Sequence, residues 1–421
     1  MAGESPTIAA NQARTFLGLW TSLVPGLTTD RAVPDRLNQL LGRNRSFGSR
    51  DRRMYRELVY TGFRYHSWVA NALSESNEDA LRALVWLSAE IPAMGRMKSF
   101  WCDGWPPTPN SVDEKRSILK SRTARLDLDA TLLPVWLSRE CPQACHPPLI
   151  DTLHSRSPLW IRVQTDDHQR LREEFHARGW KVTSSLVLPQ AWRIAAVDED
   201  LTASQAFKLG QFEIQDLGSQ ILAAAPPVRK GTHWLDACAG AGGKTLPLAQ
   251  RVGPGGRMTA WDVRGAALAE LRIRARRSPF SNIRIAKPAP GEVFDGVFVD
   301  APCTGSGTWR RAPYLKLSTQ ESTIREASRN QLQLLNRLAT HVKPGGVLAY
   351  ATCSLCKSEN HQVTSEFLDQ NPQFRRYPLE NTFGYPDAPD SGELTLMPHV
   401  HDTDGFYLAC LIRQAGQASS H

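Results

Sequence analysis

The 421-residue sequence predicts an α/β protein in which a parallel sheet covered on both faces follows a small α+β element and a helical domain. Three observations predict this. From Gln12 to about Lys120, apolar residues recur at three- and four-residue spacing, the period of a helix face. From about Lys208, short apolar runs alternate with helical stretches, as in parallel strands joined by crossovers. Between these blocks, Leu159–Thr165 and Leu186–Leu188 read as strands around a helical Asp167–Gly179. At roughly 150 residues per domain, the chain divides into residues 1–125, 126–203 and 204–421.

In the first part the clearest helical runs are Tyr55–Trp68 and Leu81–Met94, and prolines at Pro106–Pro109 and Pro147–Pro148 interrupt the pattern. In the third part the strands are Thr232–Asp236, Arg257–Asp262, Asn282–Ala286, Asp295–Asp300, Val347–Thr352 and Phe406–Ile412. The helices between them are Lys244–Val252, Ala266–Arg277 and Glu321–Val342, the last stopped by Lys343-Pro344-Gly345-Gly346 as a helix C-terminus.

Hydrophobic residues at 41% beside 22% charged ones are ordinary for a folded chain, which excludes wholesale disorder and a fibrous repeat. A formal charge of +8 favours a polyanionic partner without naming it. Arg43–Arg64 carries seven arginines against Asp51 and Glu57, either a solvated face with local ion pairs or an RNA-contacting one. Eight cysteines are too sparse for a disulfide framework, and the start MAGESPTIAANQ lacks a basic-then-apolar leader, so a reducing cytoplasm is expected. No apolar run reaches the ~18 residues of a membrane span.

Ligands of open α/β sheets bind where strands end, which directs attention to Asp236-Ala-Cys-Ala-Gly-Ala-Gly-Gly-Lys-Thr245. Three ligands compete for this loop. A nucleoside triphosphate fits Gly243-Lys244-Thr245, but Cys238 stands where the first glycine belongs. A dinucleotide fingerprint fails at its last glycine. S-adenosyl-L-methionine has no phosphate and needs only a glycine turn with carboxylates, and Asp262 at a second strand end is placed to accept both ribose hydroxyls. Asp300 ends a further strand.

Cys303, in Val299-Asp-Ala-Pro-Cys303-Thr-Gly-Ser-Gly307, and Cys353, in Ala351-Thr-Cys353-Ser354, both leave strands at the ligand-binding edge. A free cysteine is most often inert packing, the reading that suits Cys102, Cys238 and Cys410. A thiolate, however, adds readily to C6 of a pyrimidine and makes C5 nucleophilic, and a second thiol or base then removes the C5 proton. Cys353 and Cys356 also form a C-x-x-C pair, and Cys141, Cys145 and His146 offer the remainder of a zinc set from another domain. The expectation is no metal and no dithiol redox role.

At these residues the chain resembles the RsmB-type family of RNA cytosine-5 methyltransferases. The likeness covers about residues 204–415. It rests on Gly210-Gln-Phe-Glu-Ile-Gln215-Asp216-Leu-Gly-Ser219-Gln220, the glycine loop, Asp300-Ala-Pro302-Cys303-Thr-Gly-Ser-Gly307, Arg310-Arg311, Thr352-Cys353-Ser354 with Glu359-Asn360, and Asp404-Gly405-Phe406. Less fully, Asp51-Arg52, Glu57-Leu-Val-Tyr60 and Arg64 resemble a NusB-like RNA-binding domain, and Leu159-Trp-Ile-Arg162-Val163 the small domain ahead of the catalytic one. The resemblance implies a Rossmann-like methyltransferase sheet, with Cys353 as nucleophile, Cys303 as the residue that helps release product, and Asp300 on the cytosine edge. Cys238, Ala239, Gly240, Ala241, Gly242, Gly243, Lys244, Asp262 and Asp300 would hold S-adenosyl-L-methionine, with Lys244 steadying the loop or a nearby carboxylate. Arg310 and Arg311 would meet RNA phosphate. The implied substrate is 16S ribosomal RNA in an unstacked segment; apart from the resemblance, the chain is expected to be a monomer.

The chain departs from the family pattern at Gly240-Ala241, where Ala-Pro is usual, and at Tyr314, where an Asp is usual. Its third strand, Ile285-Ala-Lys-Pro-Ala-Pro290, offers no cofactor-contacting acid before Glu292. That absence motivates a rival reading, a non-catalytic RNA-binding or ribosome-assembly protein that retains the fold. Arg272, Arg274, Arg276, Arg277 and Arg284 form a basic cluster that helical spacing distributes around the helix.

Overall fold

A computed structural model describes residues 4–28, 32–195, 200–387 and 389–415. The first three residues of the start segment and the last six of the third predicted domain lie outside the described residues. The chain forms two compact units, one of residues 1–156 with 308–321, the other of residues 157–307 with 322–421.

The first unit is helical. Glu4–Leu23, Val33–Arg43, Ser49–Arg64, His66–Ser74, Glu78–Leu87, Gly95–Trp101 and Val112–Arg122 surround a core that includes Phe16, Trp20, Leu58, Phe63, Trp68 and Leu84. Gly62 permits one close helix approach, since a Cβ there would stand 2.5 Å from the Trp20 ring. The predicted runs are each broken once: Tyr55–Trp68 divides at Tyr65, which caps one helix and opens the next, and Leu81–Met94 divides between Leu87 and the 3-10 turn Pro92–Met94. The helical unit also runs past the predicted boundary at residue 125, to Arg156.

Residues 308–321 complete this unit through buried cations. Lys316 Nζ donates to the Arg64 carbonyl (2.8 Å), and Arg64 donates to the Arg310 carbonyl (3.2 Å). Arg310 itself donates to Ser155 Oγ (2.8 Å) and the Arg156 carbonyl (3.0 Å), and only 2% of it is exposed. The expectation of a phosphate contact is therefore corrected for Arg310, because its guanidinium is engaged inside the helical unit. Arg311 next to it is exposed.

The second unit opens with a four-stranded antiparallel sheet made by β1 (Leu159–Val163), β2 (Lys181–Ser184), β3 (Ala191–Ala195) and β4 (Phe212–Ile214), in the order β2-β3-β1-β4. The predicted strand at Leu186–Leu188 is instead the connection from β2 to β3, with Leu186 fully exposed. β4 was missed because three residues are too short to show alternation. It carries the small sheet beyond the predicted boundary at residue 203.

The main sheet has eight strands: β5 (His233–Asp236), β6 (Arg257–Ala260), β7 (Ile283–Ile285), β8 (Phe294–Asp300), β9 (Val342–Thr352), β10 (Phe374–Arg376), β11 (Glu393–Leu396) and β12 (Phe406–Arg413). Its order is β10-β12-β9-β8-β5-β6-β7, with β11 also on β12. β5 to β9 pair in parallel, whereas β12 runs antiparallel to β9, β10 and β11. After β7 the chain crosses back to place β8 on the other side of β5, so the crevice of the sheet lies between the C-terminal ends of β5 and β8. One helix end differs from expectation: Glu321–Ala339 stops before Lys343-Pro344-Gly345-Gly346, which falls within β9. There Gly345 has φ +76°, and the register slips between Phe294 and Gly296.

Candidate active site

The loop after β5 is bound to the end of β6. The Trp261 amide donates to the Asp236 carbonyl (2.9 Å), and the Ala239 amide to the Trp261 carbonyl (3.0 Å). Gly240 (φ +51°) and Gly242 (φ +91°) supply left-handed turns, and a Cβ on Gly242 would stand 2.4 Å from Leu271. Arg274 donates to the Ala241 carbonyl (2.8 Å), which fixes the loop from the helix side.

The side chains at the loop's end disfavour a triphosphate. Lys244 Nζ lies 2.8 Å from Asp300 Oδ2, and Thr245 Oγ1 donates to Asp236 Oδ2 (2.7 Å). The lysine is thus held by a carboxylate and the hydroxyl by a buried acid, so neither serves phosphate or magnesium. Burial pushes the Asp236 carboxyl up to about 7, with Thr245 opposing. For Lys244 burial acts downward, but the charges of Asp300, Cys353 and Asp236 outweigh it and hold the ammonium above its ordinary range.

Asp262 lies just past β6, facing the glycine loop. Its Oδ2 accepts from the Gly240 amide (2.8 Å) and Arg264 Nη2 (2.9 Å), and its Oδ1 accepts from the Arg264 amide (2.8 Å) and Nε (3.0 Å). Burial acts upward on this carboxyl, but the Arg264 side chain and the two amides outweigh it and hold it below the usual carboxylate range.

Across the crevice the two cysteines meet, with Cys303 Sγ 3.3 Å from Cys353 Sγ. The hydrogen bond to Cys353, with burial added, holds the Cys303 thiol well above the ordinary thiol range. One buried carboxylate clamps both thiol-bearing loops: Glu359 accepts from the Thr304 amide (2.8 Å), Ser354 Oγ (2.6 Å) and Gln331 Nε2 (3.0 Å). Gln331 also holds the Pro302 carbonyl (2.9 Å). Cys356 is buried near Ser306 Oγ (3.5 Å). Among the described residues, no group of three or more His, Cys, Asp or Glu side chains is placed to hold a metal.

The family profile described as "16S rRNA methyltransferase RsmB/F" matches residues 223–412. The "Ribosomal RNA small subunit methyltransferase B" of Enterobacter sp. (strain 638) is 31% identical over 301 residues, 67% of this chain and 67% of that protein. The chain belongs to the RsmB/F family. The "Probable ribosomal RNA small subunit methyltransferase B" of Synechocystis sp. is 33% identical over 240 residues, 54% of each chain, so this match spans about half of that relative's length. A solved structure described as "Crystal Structure of PH0851" shares the fold, with a TM-score of 0.70 at 23% identity over 95% of this chain and 98% of that one. A methyltransferase homolog protein from Pyrococcus horikoshii gives 0.54 at 26% identity over 62% of this chain and 88% of that one.

Within this RsmB/F chain the expected residues divide into two groups. Cys303, Cys353, Asp300, Lys244, Asp262 and the loop from Cys238 to Gly243 lie at the C-terminal edge of the main sheet, whereas Arg310 and Arg311 belong to the helical unit. Glu292 is no substitute for the missing third-strand acid, because it accepts from Arg284 (3.0 Å) and the Ala289 amide (2.8 Å) just before β8 begins. Sequence reasoning missed the roles of Glu359 and Arg264. The first had a signal, the sole acid in Cys353-Ser-Leu-Cys-Lys-Ser-Glu359-Asn360; the second had none beyond an arginine near an acid.

Proposed function

We propose that this chain methylates C5 of cytosine in 16S ribosomal RNA, with S-adenosyl-L-methionine as donor, as a cytoplasmic monomer whose helical unit is a NusB-like RNA-binding domain. The observation that carries this reading is the Cys303–Cys353 pair, 3.3 Å apart at the ends of β8 and β9. One thiol alone would suit packing. Two in contact at a sheet crevice, beside a Lys244–Asp300 ion pair, suit addition followed by elimination.

The residues present fit the donor. Gly240 and Gly242 turn the loop in left-handed conformations, Gly243 has open space where a Cβ would stand, and Asp262 offers a carboxylate for a vicinal diol. Residues 238–244, Asp262 and Asp300 would hold S-adenosyl-L-methionine, which when bound supplies an electrophilic methyl group. Cys353 adds as thiolate to C6, forming an S–C6 bond and placing electron density on C5. Asp300 accepts from the cytosine edge and favours a protonated N3, and that positive ring makes C6 more electrophilic. Once Cys353 is bonded to carbon, its hydrogen bond and charge no longer oppose ionisation of Cys303, so Cys303 gives its own proton to solvent and as thiolate takes the proton from methylated C5. Loss of that proton restores the C5–C6 double bond and expels Cys353. Arg311 would meet phosphate of the same RNA.

Replacing Cys303 with Ala blocks release, so a protein–RNA adduct is expected as a slow band on a denaturing gel, and Cys303→Ala/Cys353→Ala abolishes it. Persistence of the band in the double variant would show that the roles are misassigned. The missing third-strand acid favours the rival reading, for which the expected result is no methyl incorporation from labelled donor into RNA and no donor binding.

A further inference from the structure

The helix Gly265–Arg277 separates its arginines into two pairs. Arg274 and Arg277 both bind Glu213, at 3.1 and 2.5 Å, and this carboxylate is almost wholly buried, so the pair ties the helix to β4. Arg272 and Arg276, one turn apart on another face, are exposed and make no hydrogen bond or ion pair among the described residues. Like charges at this spacing destabilise a helix unless an anion joins them. Together with Phe280, Ile283 and Ile285 they line an open groove of about 230 Å³ beside β7, the edge strand of the sheet. Two solvent-facing guanidinium groups over an aromatic and aliphatic floor match a phosphate joined to an unpaired base.

We propose that this groove seats one nucleotide of the single-stranded RNA substrate, with its phosphate between Arg272 and Arg276 and its base against Phe280. The inference rests on the RNA reading above and adds a contact away from the cysteines. Its test uses the full chain, a fluorescein-labelled single-stranded RNA oligonucleotide and in vitro-transcribed 16S rRNA, with affinities measured across a salt series. The expected result for Arg272→Glu/Arg276→Glu is RNA affinity at least about tenfold weaker at low salt, with a log K against log salt slope shallower by about 0.7, the share of one phosphate. Phe280→Ala should weaken binding at least about fivefold without changing the slope. Arg329→Glu/Arg375→Glu makes the same charge change at exposed positions elsewhere and controls for net charge. Calorimetric binding of S-adenosylhomocysteine should be the same in all variants. RNA affinity and slope equal to those of the control pair would overturn the groove, including in favour of an acidic protein partner there. No RNA binding by the parent chain would instead overturn the functional reading.

Discussion

At the scale of single residues, Asp262 and Asp236 show how an acid's partners decide its use. Asp262 has four acceptor positions, and two amides with two Arg264 side-chain donors fill them. A ribose diol therefore competes with Arg264. Because that guanidinium is largely exposed, the competition is modest, and Arg264→Ala is expected to tighten S-adenosylhomocysteine binding about two- to fivefold by calorimetry. Weaker binding would mean that Arg264 itself touches the cofactor. Asp236 differs in being buried, with its carboxyl raised from 3.8 to about 7. Between those values the folded chain holds a proton that the unfolded chain has lost, so this group's contribution to stability falls as pH rises from about 4 to about 7. Asp236→Asn removes that dependence. In urea unfolding the variant should gain on the parent by on the order of 2–4 kcal/mol between pH 5 and 8; parallel profiles would refute the assignment.

At the scale of elements, legibility followed length and periodicity. The parallel strands with their crossover helices could be read because buried strands are short apolar runs punctuated by glycine and acid. The candidate site could be picked out for the same reason: Asp236, Asp262, Asp300 and Cys353 stand at or just beyond the ends of such runs. What failed was local. Lys343-Pro344-Gly345-Gly346 has the composition of a helix stop, yet pairing with β8 draws it into a bulged strand. β10 and β11 were missed because their pairing along β12 is a long-range fact that a three- or four-residue run does not announce. Leu186–Leu188 looked like a strand from its apolar residues, but the antiparallel β2–β3 pairing needed it as a turn. Arg310 looked like a surface cation because its partners, Ser155 and Arg156, are distant in sequence.

At the scale of the whole molecule, the division into units is not a division of the chain into consecutive halves. Residues 308–321 follow the Cys303 loop in sequence but belong with the helices. In a fragment of residues 157–421, Lys316 and Arg310 lose Arg64, Ser155 and Arg156, the groups that hold them. Limited proteolysis should then cut within 308–321 at least about tenfold faster than in the full chain, since a segment without its buried contacts opens at little cost. Equal rates would show that the segment is held by other means. The same threading bears on synthesis. A nascent chain emerges N-terminus first, so the helices leave the ribosome early but wait for the whole of residues 157–307 before their last packing segment arrives. Any transcript cut short of that point yields a helical unit with an open seam, and quality-control proteases meet an unfinished substrate where a colinear arrangement would have given them a sealed one.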